Sequence, residues 1–253
     1  MKNFVIQLSK KAGKEIVKKF NKDQIVKVKS KSQIVTEADL IANKIIVNAI
    51  KKKFPTHAIL SEETGRNKIK SEYLWVIDPL DGTTNYSIGS PLFAVSIALF
   101  KGNNPILGIS YAPIMNELYF AEQSKGVFLN NKKIKVSNKK TLKESFFTYC
   151  HGSTDKDIKK AVKIYNKIKL SGHDSRQLGA AALELGFVAA GRTECIIIPG
   201  ANSWDVGAGV LFVREAGGVV TDFSGKPWNL KTKDMVASNG KIHNQLIKFI
   251  KNV

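Results

Sequence analysis

A mixed α/β fold built in two halves is what this 253-residue chain predicts, on three observations. Apolar residues recur at helical spacing near the start. From Tyr73 to Val136, strand-like runs are separated by turn signals. Beyond about Val136, strand and helix patterns alternate. The length suffices for one large domain or two small ones with a sizeable core, and the halves are expected to meet near residue 138, as 1–138 and 139–253.

In chain order, Val5, Leu8, Ala12, Ile16 and Phe20 mark an amphipathic helix, followed by a basic loop. Thr36-Glu37-Ala38-Asp39 has the form of a capping box and opens a second helix to about Lys53, ended by Pro55. Ala58–Leu60 reads as a short strand. Tyr73–Ile77, Phe93–Phe100, Leu107–Tyr111, Leu118–Ala121 and Ile134–Val136 read as strands, with turns at Lys101–Asn104, Ala112-Pro113 and Asn130-Asn131. In the second half, Ser145–Cys150, Glu194–Ile198, Val219–Asp222 and Val236-Ala237 are expected strands. Lys156–Lys169, Arg176–Ala190 and Trp204–Ala216 are expected helices, and a last helix closes the chain.

Composition narrows the function classes. The hydrophobic fraction, 43%, is not that of a disordered chain. No apolar run approaches bilayer length, and the first twenty residues lack a signal peptide's compact apolar core, so a cytoplasmic, non-membrane protein is expected. Cys150 and Cys195 sit alone in strand-like surroundings and read as buried free thiols. The net charge of +19 attracts anions such as phosphorylated metabolites or nucleic acid. The lysines are spread along the chain without aromatic interleaving, which favours a solvated basic surface over a nucleic-acid site.

The stretch W-V-I-D-P-L-D-G-T-T-N, 75–85, carries the chemistry. An apolar strand ends in Asp78 and Asp81. Two carboxylates about 4 Å apart repel by roughly 4 kcal/mol at an effective dielectric of about 20, so either a proton or a cation must relieve them. All-oxygen ligands without nearby His or Cys point to a hard ion, Mg²⁺ before Zn²⁺. Pro79 removes a donor and leaves the Leu80 carbonyl free to face an ion. Gly82-Thr83-Thr84 permits a tight turn whose amides can cradle a phosphate, and a threonine hydroxyl can bond a nucleophilic water. The same residues taken separately are an Asp-Pro turn and an Asp-Gly turn, both ordinary loop chemistry. It is their order, strand exit, acids, glycine, hydroxyls, that favours a site. Further acids fit less specifically. Ser61-Glu62-Glu63 follows a short strand and reads equally as an exposed loop. Asp205, in N-S-W-D-V-G-A-G, falls where a helix begins and suits its dipole; Asp39 belongs to the capping box.

Together these blocks resemble the inositol monophosphatase family of Mg²⁺-dependent, often lithium-sensitive sugar phosphatases. S-E-E-T-G (61–65), the 75–85 block and W-D-V-G-A-G (204–209) with E-A-G-G (215–218) carry the likeness. V-T-E-A-D (35–39) and R-Q-L-G-A-A-A-L (176–183) extend it over nearly the whole chain. The resemblance implies a layered αβαβα sandwich of the inositol monophosphatase and fructose-1,6-bisphosphatase type, usually a homodimer, with two or three Mg²⁺ ions per site. By matched position, Glu62, Asp78 and the Leu80 carbonyl resemble ligands of one ion, and Asp78, Asp81 and Asp205 ligands of a second. Glu62 would reach a third through water. Thr83 supported by Asp39 resembles the pair that orients the attacking water. Gly82 and Thr83 amides would hold the phosphate, with Ala181, Ile198 and Asp205 lining the substrate pocket. The implied reaction is in-line attack of a metal-activated water on a small phosphorylated metabolite.

One position departs from the pattern. Inositol-type members carry an acid seven residues before the aspartate matched by Asp205, where it binds sugar hydroxyls; here Ile198 stands there and cannot accept those bonds. Related members act on fructose 1,6-bisphosphate, histidinol phosphate or 3′-phosphoadenosine nucleotides, for which Arg176 or Lys29 would meet a second phosphate. His151 and His173 read as loop or surface residues.

Overall fold

The computed structural model describes residues 1–22, 25–30 and 33–251; the side chains of 25–27, 29, 30 and 33, and with them the Lys29 expected to meet a second phosphate, lie outside the described residues. The helices are α1 (Lys2–Lys19), α2 (Glu37–Lys53), α3 (Thr83–Ser87), α4 (Asp155–Leu170), α5 (Ala181–Ala189), α6 (Ser203–Glu215) and α7 (His243–Ile250). The strands of the first half are β1 (Ile25–Ser30), β2 (Gln33–Thr36), β3 (Ala58–Ser61), β4 (Gly65–Arg66), β5 (Tyr73–Asp81), β6 (Ala94–Lys101), β7 (Asn104–Ala112), β8 (Glu117–Glu122), β9 (Gly126–Leu129) and β10 (Lys132–Lys133). Those of the second half are β11 (Phe147–Tyr149), β12 (Ser175–Arg176), β13 (Cys195–Ile198), β14 (Val219–Asp222) and β15 (Met235–Ser238). Among the described residues no helix is long and apolar enough to cross a membrane.

Two sheets hold the molecule together. An eight-stranded sheet runs β10-β9-β8-β7-β6-β5-β3-β4, antiparallel except for the β3–β5 pair. A five-stranded sheet runs β12-β11-β13-β15-β14, with β11 parallel to both its neighbours. Strand periodicity puts alternate residues on opposite faces, and the core divides accordingly. Trp75, Ile77, Val95 and Ile97 pack on α1 and α2. Leu74, Val76, Ala98 and Phe100 face the other way, onto a layer of α5 and α6 whose far side meets Ile196, Ile198 and Ala237 of the second sheet. Phe147, Cys195, Ile197 and Val236, on that sheet's outer face, pack on α4 and α7. The order of layers is therefore αβαβα.

The expectations hold for most elements and fail at three; the basic loop expected after α1 holds the antiparallel strands β1 and β2. Ile134–Val136 is not a strand; the chain there runs as a strap after a hairpin, β9–β10, whose turn Asn130-Asn131 takes positive φ at both residues. The expected helix Arg176–Ala190 begins only at Ala181. Ser175 and Arg176 pair with β11 instead, and Gly179 adopts φ +75°, outside the helical region. Both cysteines are free and buried.

Candidate active site

Strand β5 makes the site possible through one irregularity. Asp78 pairs with Ser96 and Asp81 with Ala94, three residues along β5 against two along β6, which is a β-bulge at Pro79-Leu80. In a regular strand, residues three apart point to opposite faces. The extra residue cancels that inversion, and both aspartates line one cavity. The chain then turns through Gly82 at φ +86° into α3. A Cβ on Gly82 would sit 2.7 Å from the Leu92 carbonyl oxygen. Gly82→Ala is therefore expected to destabilise the fold by about 1–3 kcal/mol, measured by denaturant unfolding.

The cavity, about 450 Å³, lies where several element ends converge. Glu62 follows β3. Asp78, Leu80 and Asp81 end β5, Gly82 and Thr83 open α3, Ala181 opens α5, Ile198 ends β13, and Asp205 is in the first turn of α6; all of these line it. Carboxylate oxygens of Glu62, Asp78 and Asp205 lie within 4.8 Å of one another. Backbone N–H groups hold the three aspartates. The Leu80 N–H donates to Asp78 Oδ1 at 3.0 Å, the Asn202 N–H to Asp205 Oδ2 at 2.9 Å, and the Ala182 N–H, at the start of α5, to Asp81 Oδ2 at 2.8 Å.

Asp39 lies one step behind the cavity. It is buried in the first turn of α2, where its Oδ2 accepts the Thr36 N–H at 2.8 Å and the Thr36 hydroxyl, completing the expected capping box. Its Oδ1 lies 3.0 Å from the Thr83 hydroxyl, which is also 2.9 Å from the Leu80 carbonyl oxygen. A hydroxyl has one proton, so these two acceptors compete for it.

Burial and mutual repulsion raise the carboxyl pKa values. Asp78 is pushed well above the usual range by burial, then by Glu62, Asp81 and Asp205; Asp81 by burial, then chiefly by Asp205. Asp205 rises to about 7 and Asp39 to about 6, both mainly through burial. No Lys or Arg is among the described side chains lining the cavity. Four acids from three segments, gathered in such a cavity, fit a hard divalent ion bound through oxygen ligands.

Several wall residues were not expected from sequence. Cys150, His151, Gly152 and Ser153 leave β11, and Gln177, Leu178 and Gly179 precede α5. The His151 Nδ1–H donates to the Gly152 carbonyl at 2.8 Å, leaving Nε2 as the acceptor of the neutral ring. His173 instead packs on Phe147 and Phe249, and Arg176 donates to Asp174 at 2.9 Å and to the Ser175 carbonyl at 2.8 Å, outside the cavity lining. The ordering of the wall loop could have been suspected only from Asn85, whose Nδ2 donates to the Leu92 and Leu178 carbonyls at 2.8 and 2.7 Å.

Residues 1–253 match the inositol monophosphatase family. A fructose-1,6-bisphosphatase/inositol-1-monophosphatase of Thermotoga maritima is 37% identical over 252 residues, covering 99% of this chain and 96% of its own. A Nus factor SuhB of Pasteurella multocida is 37% identical over 256 residues, covering 99% and 95%. Among solved structures, the extragenic suppressor protein SuhB of Bartonella henselae superposes with a TM-score of 0.93 at 34% identity, over 99% of this chain and 98% of that one.

Proposed function

The chain belongs to the inositol monophosphatase family, and from that premise we propose that it is a Mg²⁺-dependent phosphomonoesterase acting on a small sugar or polyol phosphate. The observation that carries this reading is the convergence of Glu62, Asp78, Asp81 and Asp205 on one cavity beside the hydrogen-bonded Thr83–Asp39 pair. Glu62, Asp78, Asp81, Asp205 and the Leu80 carbonyl would hold the ions. Divalent ions there would supply positive charge to the phosphate oxygens and acidify a water molecule.

The remaining work falls to the chain itself. The first amides of α3 have no acceptor within the helix, and Gly82 brings that backbone to the cavity without a side chain in the way, so these N–H groups can hold the phosphate. The Thr83 hydroxyl would donate its hydrogen bond to Asp39 Oδ1 when the Leu80 carbonyl serves as an ion ligand, which leaves its lone pairs to orient the attacking water. Asp39 serves as acceptor once ionised, above its pKa of about 6. Thr83→Ala is expected to lower kcat by about 10²–10⁴-fold with KM little changed, read by steady-state phosphate release.

The substrate end is less polar than a polyol would favour. Ile198 is buried at the end of β13 and offers no hydrogen bond. The test is phosphate release with Mg²⁺ from inositol 1-phosphate, fructose 1,6-bisphosphate, histidinol phosphate and 3′-phosphoadenosine 5′-phosphate. Release that depends on Mg²⁺ from at least one is expected. No release from any of them, by folded protein, would overturn the reading.

A second reading has its own support in the +19 charge and in relatives named Nus factor SuhB: a nucleic-acid-associated role on the same scaffold. It requires RNA affinity that falls steeply with salt and survives Asp78→Asn. Absence of binding at low salt ends it. Sedimentation tests the homodimer expected of the family.

A further inference from the structure

Glu184 is fully buried near the start of α5, and nothing in the chemistry above uses it. Its Oε1 accepts the Gly179 N–H at 3.1 Å and the Cys150 thiol at 2.8 Å. The Thr148 hydroxyl also reaches this carboxylate and is shared with the Cys195 carbonyl, 3.3 Å away. Burial raises this carboxyl to about 7. Burying a carboxyl costs free energy that burying an apolar side chain does not, and the rest of the helix is Ala, Leu, Gly, Phe and Val. Stability alone would favour another apolar residue here.

The two donors give Glu184 its meaning. Cys150 and Gly179 both line the catalytic cavity, yet they come from different segments, the exit of β11 and the loop before α5. That loop is already tied on one side, where the Leu178 carbonyl accepts from Asn85 at 2.7 Å. The next residue, Gly179, is held at φ +75° with its N–H on Glu184. Two residues before Glu184, the Ala182 N–H binds Asp81. One helical turn thus fixes both a carboxylate of the acidic cluster and two pieces of the wall.

We propose that Glu184 is a positioning residue: by accepting from Gly179 and Cys150 it holds the 177–179 loop against the exit of β11 and fixes the wall that meets the substrate. The kinetic consequence rests on the phosphatase reading; the structural one does not. Losing the tie should weaken substrate binding while the Thr83–Asp39 pair and the metal carboxylates stay in place.

The experiment has two arms. In the first, Glu184→Ala and Glu184→Leu are assayed on inositol 1-phosphate and fructose 1,6-bisphosphate. KM is expected to rise about tenfold, with kcat and the Mg²⁺ midpoint little changed, whereas Glu184→Gln, whose amide oxygen accepts the same two bonds, stays near wild type. In the second, iodoacetamide labelling of Cys150 is followed by mass spectrometry, with fully buried Cys195 as internal control. Burial first, then the Glu184 charge and its hydrogen bond, hold the Cys150 thiol's pKa up; Gln removes the charge but keeps the tie, so faster labelling in Ala and Leu than in Gln reads release of the wall. The proposal is overturned if Ala and Leu keep wild-type KM and labelling, if kcat and the Mg²⁺ midpoint shift along with KM, or if Gln behaves like Ala. Should wild type hydrolyse neither probe, the phosphatase reading loses support while labelling still decides the role of Glu184. Should Ala fail to fold, Leu retains the side-chain volume and carries the test.

Discussion

Asp78→Asn is expected to lower Mg²⁺-dependent phosphate release more than about 100-fold, because losing even an indirect support of a metal ligand costs about 10–100-fold and Asp78 is proposed to serve two ions. The same substitution is expected to raise the melting temperature of the metal-free protein. The asparagine oxygen can keep the bond from the Leu80 N–H, so the bulge that places Asp81 is preserved. What is lost is a buried charge facing Glu62, Asp81 and Asp205. Each like pair at about 4 Å costs roughly 4 kcal/mol at a dielectric near 20, an upper bound because the group takes up a proton instead of bearing it all. Removing the charge therefore stabilises by several degrees in a chain of this size. Melting with and without Mg²⁺, alongside phosphate release, checks both halves. A variant that keeps near wild-type activity, or that melts lower without metal, contradicts the account of the cluster. Loss of activity by unfolding would show at once in the melting curve.

The parts of this site that were legible in sequence share a property: their chemistry is local. Strand exit, paired acids, glycine and hydroxyls occupy consecutive positions, so the tight turn at Gly82 and the outward amides follow from neighbours in the chain, whereas the bulge needs the β6 register. Asp39 was legible for the same reason, since its capping partner is three residues away. By their own chemistry Asp205 and Glu62 were legible only as acids at element ends, and the family resemblance alone put them beside Asp78; their convergence needs the sheet order and the packing of α6 between the sheets. The failures run the other way. Arg176–Ala180 looks helical by composition, yet pairing with β11 and the tie from Asn85, 93 residues away from Leu178, hold it extended. Tertiary contacts of that kind leave no periodic trace. Glu184 was invisible because a glutamate within a helix is ordinarily solvated, and only the packing of the layers shows that this one is enclosed.

The metal-free protein is expected to lose stability as pH rises from 6.5 to 8, and Mg²⁺ is expected to restore more of it at pH 8 than at 6.5. Asp205 and Glu184 carry folded pKa values of about 7, and Asp78 and Asp81 are also raised. Unfolded carboxyls release their protons near pH 4. Across this window the folded chain therefore binds more protons than the unfolded one, and stability, complete at low pH for these groups, is lost as pH climbs through their folded values. His57 and His243 act with the opposite sign, since burial lowers their pKa values from 6.5; most of that influence lies below pH 6.5, where the comparison starts, and the part above it is small beside that of the buried carboxyls. Mg²⁺ competes with protons for the same oxygens. At a hundred times its dissociation constant it adds about 2.7 kcal/mol, or about 5–10 °C for a chain of this length. Differential scanning fluorimetry at the two pH values, with and without Mg²⁺, reads both effects. Asp78→Asn combined with Asp205→Asn should abolish the Mg²⁺ shift and flatten most of the slope. The remainder belongs to Asp81 and Glu184; the Glu184 carboxyl is proposed to hold no ion, so Glu184→Gln should remove its share with or without metal. A metal-free melting temperature that rises between pH 6.5 and 8, or a Mg²⁺ shift that ignores pH, would mean that the four acids are not in fact competing for charge in one buried space.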